Sequence, residues 1–381
     1  MTPRPDYLPF GRPDFSDEEI AAVTRVMRSG WIGMGPETQA FEQELAAAVG
    51  APHVVTVNSC TSALFLSLLA HGIGEGDEVV CPSLTWCSSA NAALYLGARV
   101  AFCDVDPRTF CVTPETVRAA LTPRTKAVVI VHFGGLAIDV AALRAALPAS
   151  VAIVEDAAHA FGARFADGRP VGSSGNATCF SFYANKNLST GEGGAVALSD
   201  GAHADRIRSL RQHGLPIDAW KRFTHAHTVL ISPQLTELGY KANYTDLQAA
   251  LGRVQLRRQA EMGARRRLIA NRYLGQLSRL AAAFEPQTSL ASPSHALHLF
   301  PVRVRPGGRW SRDELLLELR RRNIGATIHY TPLHLMPLYR HAGPLPAAEA
   351  LGREILTLPI SASMTEADAE CVCAHLAELA A

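Results

Sequence analysis

CFSFYANKNLSTGEGG, residues 179–194, is the stretch from which the rest of the chain is read. An apolar, aromatic strand delivers one lysine, Lys186, into a loop that closes on a glycine cluster and returns as the strand Ala195–Leu198. Most lysines sit in water. One held between an aromatic strand and a tight glycine turn loses hydration, so its pKa falls and its amine becomes available as a nucleophile.

Outward from this hairpin, short apolar strands alternate with helical stretches. The strands are Val54–Val57, Glu78–Cys81, Arg99–Cys103, Ala127–His132 and Ala152–Glu155; the helices are Ser62–Ala70, Ser88–Leu96, Pro114–Ala120 and Val140–Leu147. This alternation predicts an α/β fold, with a mainly parallel sheet covered by helices on both faces. Such sheets place their sites beyond the carboxyl ends of the strands. Before the first strand, Phe15–Gly50 reads as two helices, one opened by a Ser16–Glu19 capping box and one stopped by Gly50. After Asp246 a long helical run, Leu247–Leu280, carries arginines at 257–258 and 265–267, which read as solvated faces. A Pro/Ser-rich hinge, Glu285–Ser294, leads to a smaller α+β unit: a strand Leu297–Val304, a helix Arg312–Arg322 and a strand Gly325–Tyr330. The expected division is a large domain with an N-terminal helical arm over residues 1–250 and a small C-terminal domain over residues 251–381.

Composition narrows the function class. Of 381 residues, 48% are hydrophobic and 19% charged, which suits a packed globule and excludes disorder. Thirty-six basic against 35 acidic residues leave a charge of +1, so the wide basic face that nucleic acid requires is not expected. Apolar runs are too short for a bilayer, and the polar, proline-rich start lacks the core of a secretory signal. A soluble, cytoplasmic protein is the expectation. Eight cysteines without CxxC spacing read as reduced thiols. Cys371, Cys373 and His375 match no common ligand spacing and fall in an amphipathic helix, Thr365–Ala380, so no metal is expected. Neither GxxxxGK[ST] nor HExxH occurs, and Gly72–Gly76 precedes a strand, which disfavours a nicotinamide cofactor.

Two further segments carry chemistry. In VNSCTSA (57–63), small polar residues leave a strand and open an apolar helix, so free N–H groups and the helix dipole converge where a phosphate is welcome. In VAIVEDAAHA (151–160), a strand ends in Glu155 and Asp156, with His159 three residues on. A carboxylate there either caps the next helix or pairs with a protonated ring nitrogen. Together with Lys186, these segments match what pyridoxal phosphate needs: an anchored phosphate, a paired pyridinium and an aldehyde held as an imine. Trp86, after the strand exit, is placed to stack on a flat ring.

These segments, with Ser29–Trp31, Gly76–Val79 and the stretches 238–246 and 328–330, resemble the DegT/DnrJ/EryC1/StrS sugar aminotransferases, of PLP fold type I (aspartate aminotransferase-like). They look most like the branch containing UDP-4-amino-4-deoxy-L-arabinose–oxoglutarate aminotransferase. The resemblance implies a pyridoxal 5′-phosphate enzyme that passes an amino group from glutamate, through pyridoxamine 5′-phosphate, to a keto sugar, in particular a nucleotide-linked 4-keto sugar. It implies Lys186 as the aldimine lysine and proton carrier, Asp156 on the pyridine nitrogen, His159 near the ring hydroxyl and Trp86 on the ring face. It places Cys60, Thr61 and Ser181 at the phosphate, Asn243 at the phosphate of a partner subunit in a homodimer, and His329 and Tyr330 on the substrate side. Gly33–Pro36 and Ala242 depart from the family pattern on the sugar side of the site. A cyclitol or other non-nucleotide ketone is the alternative acceptor, with Lys221 and Arg222 read either as diphosphate contacts or as solvated charge. The rival classes are a pyridoxamine-dependent sugar dehydratase, whose relatives carry histidine at the lysine position, and a non-catalytic PLP-fold regulator, for which no DNA-binding segment is appended.

Overall fold

The runs Ala127–Val131 and Ile153–Val154 are alanine, valine and isoleucine and wholly buried, as in a sheet covered on both faces. The computed structural model describes residues 2–215, 235, 237–339 and 343–381; Lys221 and Arg222 lie outside them. The strands of the main sheet are β1 (His53–Val57), β2 (Glu78–Pro82), β3 (Arg99–Cys103), β4 (Thr125–Val131), β5 (Ala152–Asp156), β6 (Ala177–Ser181) and β7 (Gly194–Leu198). Their spatial order is β1-β7-β6-β5-β4-β2-β3. The pairings from β3 through β2, β4 and β5 to β6 are parallel, whereas β7 runs antiparallel to both β6 and β1. The α/β class and the mainly parallel sheet are as the alternation predicts.

Helix ends follow their sequence signals. Ser16 and Glu19 form the capping box, and Gly50 ends the helix Pro36–Val49 in the left-handed region at φ 66°. That second helix has no side-chain cap of its own. Asp246 supplies one from far along the chain: its Oδ1 accepts from Gly35 N at 2.8 Å, Thr38 N at 2.9 Å and Thr38 Oγ1 at 2.7 Å.

A second hydrophobic cluster, including Ile269, Tyr273, Phe300, Leu319, Leu356 and Val372, surrounds a small antiparallel sheet in the order β10-β9-β8. Its strands are β8 (Phe284–Pro286), β9 (Phe300–Val304) and β10 (Ile355–Leu358). The N-terminal segment packs here as well: Leu8 belongs to the cluster, and Arg4 Nη2 lies 2.6 Å from Asp368 Oδ1. Residue 250 falls inside the helix Asp246–Arg257, whose Ala249 packs on the main core.

Four local expectations need correction. Gly325–Tyr330 is not a strand: the N-terminal arm takes its first N–H, Gly325 N donating to Leu8 O at 2.7 Å, and only Thr327 pairs with Thr357. The hinge Glu285–Ser294 begins inside β8. The helical run 247–280 breaks at Arg258 into Asp246–Arg257 and Gln259–Leu277, followed by a 3-10 turn, Ser278–Leu280. Nor are the arginines uniformly solvated. Arg266 is 3% exposed and donates Nη1 to the carbonyls of Leu297 and Ile360, so its planar fork clamps two chain segments.

Gly194 marks the tightest junction in the main sheet. A Cβ there would lie 2.6 Å from Cys60 N and 2.8 Å from Phe180 O, backbone on both sides. Gly194→Ala is expected to cost about 1–3 kcal/mol, read as a lowered urea midpoint. The control is Gly263→Ala, in the helix Gln259–Leu277, where an added Cβ meets nothing within 4 Å. That change is expected to stabilise by up to about 1 kcal/mol.

Candidate active site

Gly194 pairs with Val57, the last residue of β1, and with Ser181, the last residue of β6. The turn after β1 and the loop after β6 therefore meet, with Asp156 ending β5 beside Cys179. One cavity of about 550 Å³ results, and its wall includes Ser59, Cys60, Thr61, Trp86, Asp156, His159, Ser181, Lys186, His329 and Tyr330. The wall holds every cofactor and substrate residue that the family resemblance implies except one. Asn243 stands off this wall, with Nδ2 3.8 Å from Met34 Sδ and Oδ1 buried without a partner.

The two acids that end β5 part company because successive strand residues point to opposite faces. Glu155 turns away from the cavity, to His132 Nε2 at 2.9 Å, Asn176 Nδ2 at 2.8 Å and Ser174 Oγ. Ile138 N–H donates to His132 Nδ1 at 3.0 Å, so the imidazole hydrogen is on Nε2 and is given to Glu155. Burial opposes the Glu155 charge, but these donors together hold its carboxyl below the usual range. Asp156 faces the cavity. Its Oδ2 accepts from Ser89 Oγ at 2.7 Å and its Oδ1 from Ala158 N–H at 3.1 Å, neither of them a cation. Burial raises its pKa, against those two hydrogen bonds and the charge of Lys186. A buried carboxylate without a bonded cation is a receptor for one.

Lys186 is half-buried, and burial pushes its ammonium down to about 8, against the favourable fields of Asp156 and Cys60. Its Nζ lies 3.3 Å from His298 Nε2. His159 packs against His298 with ring centroids 4.7 Å apart and the planes tilted by 32°, and its Nε2 is 3.1 Å from Tyr330 Oη. Gly134 N–H donates to His159 Nδ1 at 3.3 Å, so Nε2–H donates to the tyrosine oxygen. Burial, then the nearby Lys186 charge, pushes His159 well below its ordinary range. The same two causes bring His329 down to about 3; its Nδ1 is 2.9 Å from Thr357 Oγ1. Tyr330 thus sits with His159 and with Trp86, 5.9 Å away between ring centroids, at the heart of the cavity.

At the other end, the helix Cys60–Ala70 starts at the cavity wall. Ser59 caps Ser62 N–H, while the earlier N–H groups have no intrahelical acceptor. Thr61 Oγ1 is 2.8 Å from Ser88 Oγ, adding a second hydroxyl beside them. Trp86 is 60% exposed at the same wall, which is unusual for a large aromatic and leaves one ring face open. A phosphate-ready helix start, an open aromatic face, a buried acid without a cation and a deprotonatable lysine in one cavity fit pyridoxal phosphate.

Ser89, Thr85 and His298 escaped the sequence reading. Thr85 Oγ1 lies 2.9 Å from Ser89 Oγ, extending the support of Asp156. Paired serines at 88–89, two and three residues after Trp86, repeat the polar helix start seen at 59–62 and were the available signal. For His298 the signal was a histidine pair, His295 and His298, just ahead of an apolar strand.

Comparison with known proteins agrees with this geometry. The model of the DegT/DnrJ/EryC1/StrS aminotransferase family matches residues 13–377. The chain is 42% identical to the spore coat polysaccharide biosynthesis protein SpsC of Bacillus subtilis (strain 168), over 96% of this chain and 95% of that one. It superimposes on the aminotransferase TlmJ of Streptoalloteichus hindustanus with a TM-score of 0.89 and 37% identity, covering 98% and 100% of the two chains. Spr1654 of Streptococcus pneumoniae, described as a sugar aminotransferase and solved in a PLP form, matches with a TM-score of 0.89 and 28% identity over 98% of each chain.

The lowered ammonium gives a direct test. Four lysines occur, Lys126, Lys186, Lys221 and Lys241, so peptide mapping resolves each. In cofactor-free protein, acylation of Lys186 should reach half its maximal rate near pH 8, because only the neutral amine reacts and burial disfavours the ammonium. Asp156→Asn removes a charge that favours the ammonium and should move this midpoint lower.

Proposed function

The chain belongs to the DegT/DnrJ/EryC1/StrS aminotransferase family, and from that premise we propose that it transfers an amino group from glutamate to a nucleotide-linked 4-keto sugar. Aminotransferases of this family and the solved neighbours use pyridoxal 5′-phosphate, and this chain is such an enzyme. The observation that carries the reading is the placement of Lys186 and Asp156 in one cavity, the acid buried, the amine half-buried, and neither bonded to the other. The sugar acceptor is supported by the spore coat polysaccharide relative and the neighbour described as a sugar aminotransferase.

When bound, the cofactor supplies an electron sink for the carbanion at the donor's Cα. Asp156, fixed by Ser89 and Ala158 N–H, holds a proton on the ring nitrogen by charge. Lys186 Nζ, with its ammonium near 8, takes the proton from the donor Cα and returns one at the acceptor carbon, a general base close to working pH. The helix start at Cys60 and Thr61, with Ser181, holds the phosphate. His159 would lie at the ring hydroxyl, and His329 and Tyr330 would border the substrate.

Asn243, off its own cavity with Oδ1 unpartnered, supports a homodimer in which it reaches the partner's phosphate. Eight free cysteines support a reducing compartment, the cytoplasm. Among the described residues no helix is long and apolar enough to cross a membrane.

Spectroscopy tests the chemistry and then the acceptor. Glutamate should convert the visible absorption of the lysine-linked cofactor to that of the amine form, and Lys186→Ala should slow the conversion by at least about a hundredfold. Conversion at wild-type rate in that variant sinks the mechanism. Reoxidation of the amine form by a nucleotide-linked keto sugar supports the acceptor; reoxidation only by a cyclitol ketone replaces it.

A further inference from the structure

We propose that His298 is a positioning residue for the reaction: a fixed hydrogen-bond acceptor that holds the Lys186 amine whenever that amine is not joined to the cofactor. The inference rests on the role of Lys186 given above and adds a second residue to it.

Hydrogen-bond bookkeeping fixes the direction of the contact. Asn187 Nδ2 lies 2.8 Å from Ala296 O and 3.5 Å from Phe161 O. Only the NH2 end of an amide donates to carbonyls, so Asn187 Oδ1 is the acceptor end. The His298 atom facing it at 3.3 Å, Nδ1, therefore carries the hydrogen. A neutral imidazole has one N–H, which leaves Nε2 as a bare lone pair 3.3 Å from Lys186 Nζ. The wire runs one way: Lys186 donates to His298, His298 to Asn187, and Asn187 to two main-chain carbonyls.

The wire is anchored. His298 is 4% exposed and packs against His159, ring centroids 4.7 Å apart. Asn187 is held through its own carbonyl, which accepts from Gln259 Nε2 at 3.0 Å. Burial, with Lys186 and His159 alongside, pushes His298 well below its ordinary range, so it accepts the lysine N–H without taking the proton. A free lysine amine swings on a flexible four-carbon stem. One N–H committed to Nε2 stops that swing and leaves the remaining bonds of Nζ for the cavity. Because an N⁺–H donor makes the stronger bond, His298 also favours the ammonium and sets how far the Lys186 pKa can fall.

The test uses holoenzyme converted to its amine form, in which Lys186 is free. His298→Phe keeps an aromatic ring and deletes the acceptor; His298→Gln restores an acceptor at similar reach. The pH midpoint for acylation of Lys186 should fall by about one unit in His298→Phe, a tenfold shift in the amine–ammonium ratio, and recover in His298→Gln. The pH profile for reoxidation of the amine form should move the same way, with PLP affinity unchanged. Asn187→Leu unpins the tautomer, should lower the midpoint while His298 stays in place, and carries the test if His298→Phe does not fold. An unchanged midpoint in folded His298→Phe, or in Asn187→Leu, overturns the proposal; so does His298→Gln behaving like His298→Phe. Failure of the underlying function is distinguishable, since Lys186→Ala would then still convert the cofactor with glutamate at wild-type rate.

Discussion

Asp156 and Lys186 bring opposite charges into one cavity and yet bond to other partners, and the rest of the site answers to that separation. In a poorly solvated space an acid and an amine attract strongly, and a collapsed pair would occupy both groups. Each is instead tied to its own side. Asp156 ends a strand buried between two neighbours and is gripped by Ser89 and Ala158 N–H. Lys186 leaves β6 by a short loop and finds its partner in His298. Burial then acts on both in complementary senses, raising the acid and lowering the amine. The price of two poorly solvated groups is accepted because each is left free to meet a ligand.

The same strand end shows why position along the chain is not enough to assign a role. Glu155 and Asp156 are adjacent and chemically alike, but the pleat gives one to a closed polar cluster and the other to the cavity. Glu155 is satisfied by three donors, buried His132 and the half-buried Asn176 and Ser174. Asp156 is satisfied in part, by one hydroxyl and one N–H. Incomplete satisfaction of a buried carboxylate is the property that marks it for function.

Features whose placement follows from local pattern were legible in the sequence: the strand–helix alternation, the helix start at 59–62, Asp156 at a strand end, and Lys186 before its glycine turn. What was not legible arrives from elsewhere in the chain. Ser89 reaches Asp156 across 67 positions and His298 reaches Lys186 across 112. Neither distance leaves a trace in periodicity. The misplaced strand at 325–330 has the same origin. Its composition is that of a strand, but the carbonyl of Leu8, from near the other end of the chain, takes the N–H of Gly325. Arg266 likewise has the composition of a solvated face and the contacts of a buried clamp.

Those long-range contacts also join the two hydrophobic clusters at the site. Asn187 and Phe161 belong to the loops of the main sheet, whereas Ala296 and His298 lie in the link that leads into β9 of the small sheet. The amide of Asn187 bonds both sides at once, and the lysine is held by the ring this amide orients. A displacement of one core against the other therefore stretches the bond that positions Lys186 before it disturbs Asp156, whose partners all come from the main-sheet side. Phe10 extends the same logic from the N-terminal arm: it lines the cavity and packs 5.6 Å from His329. Ile360 N–H in turn bonds to the Phe10 carbonyl. The acid is a fixture of one core. The amine and the substrate-side histidine take their geometry from the contact between two.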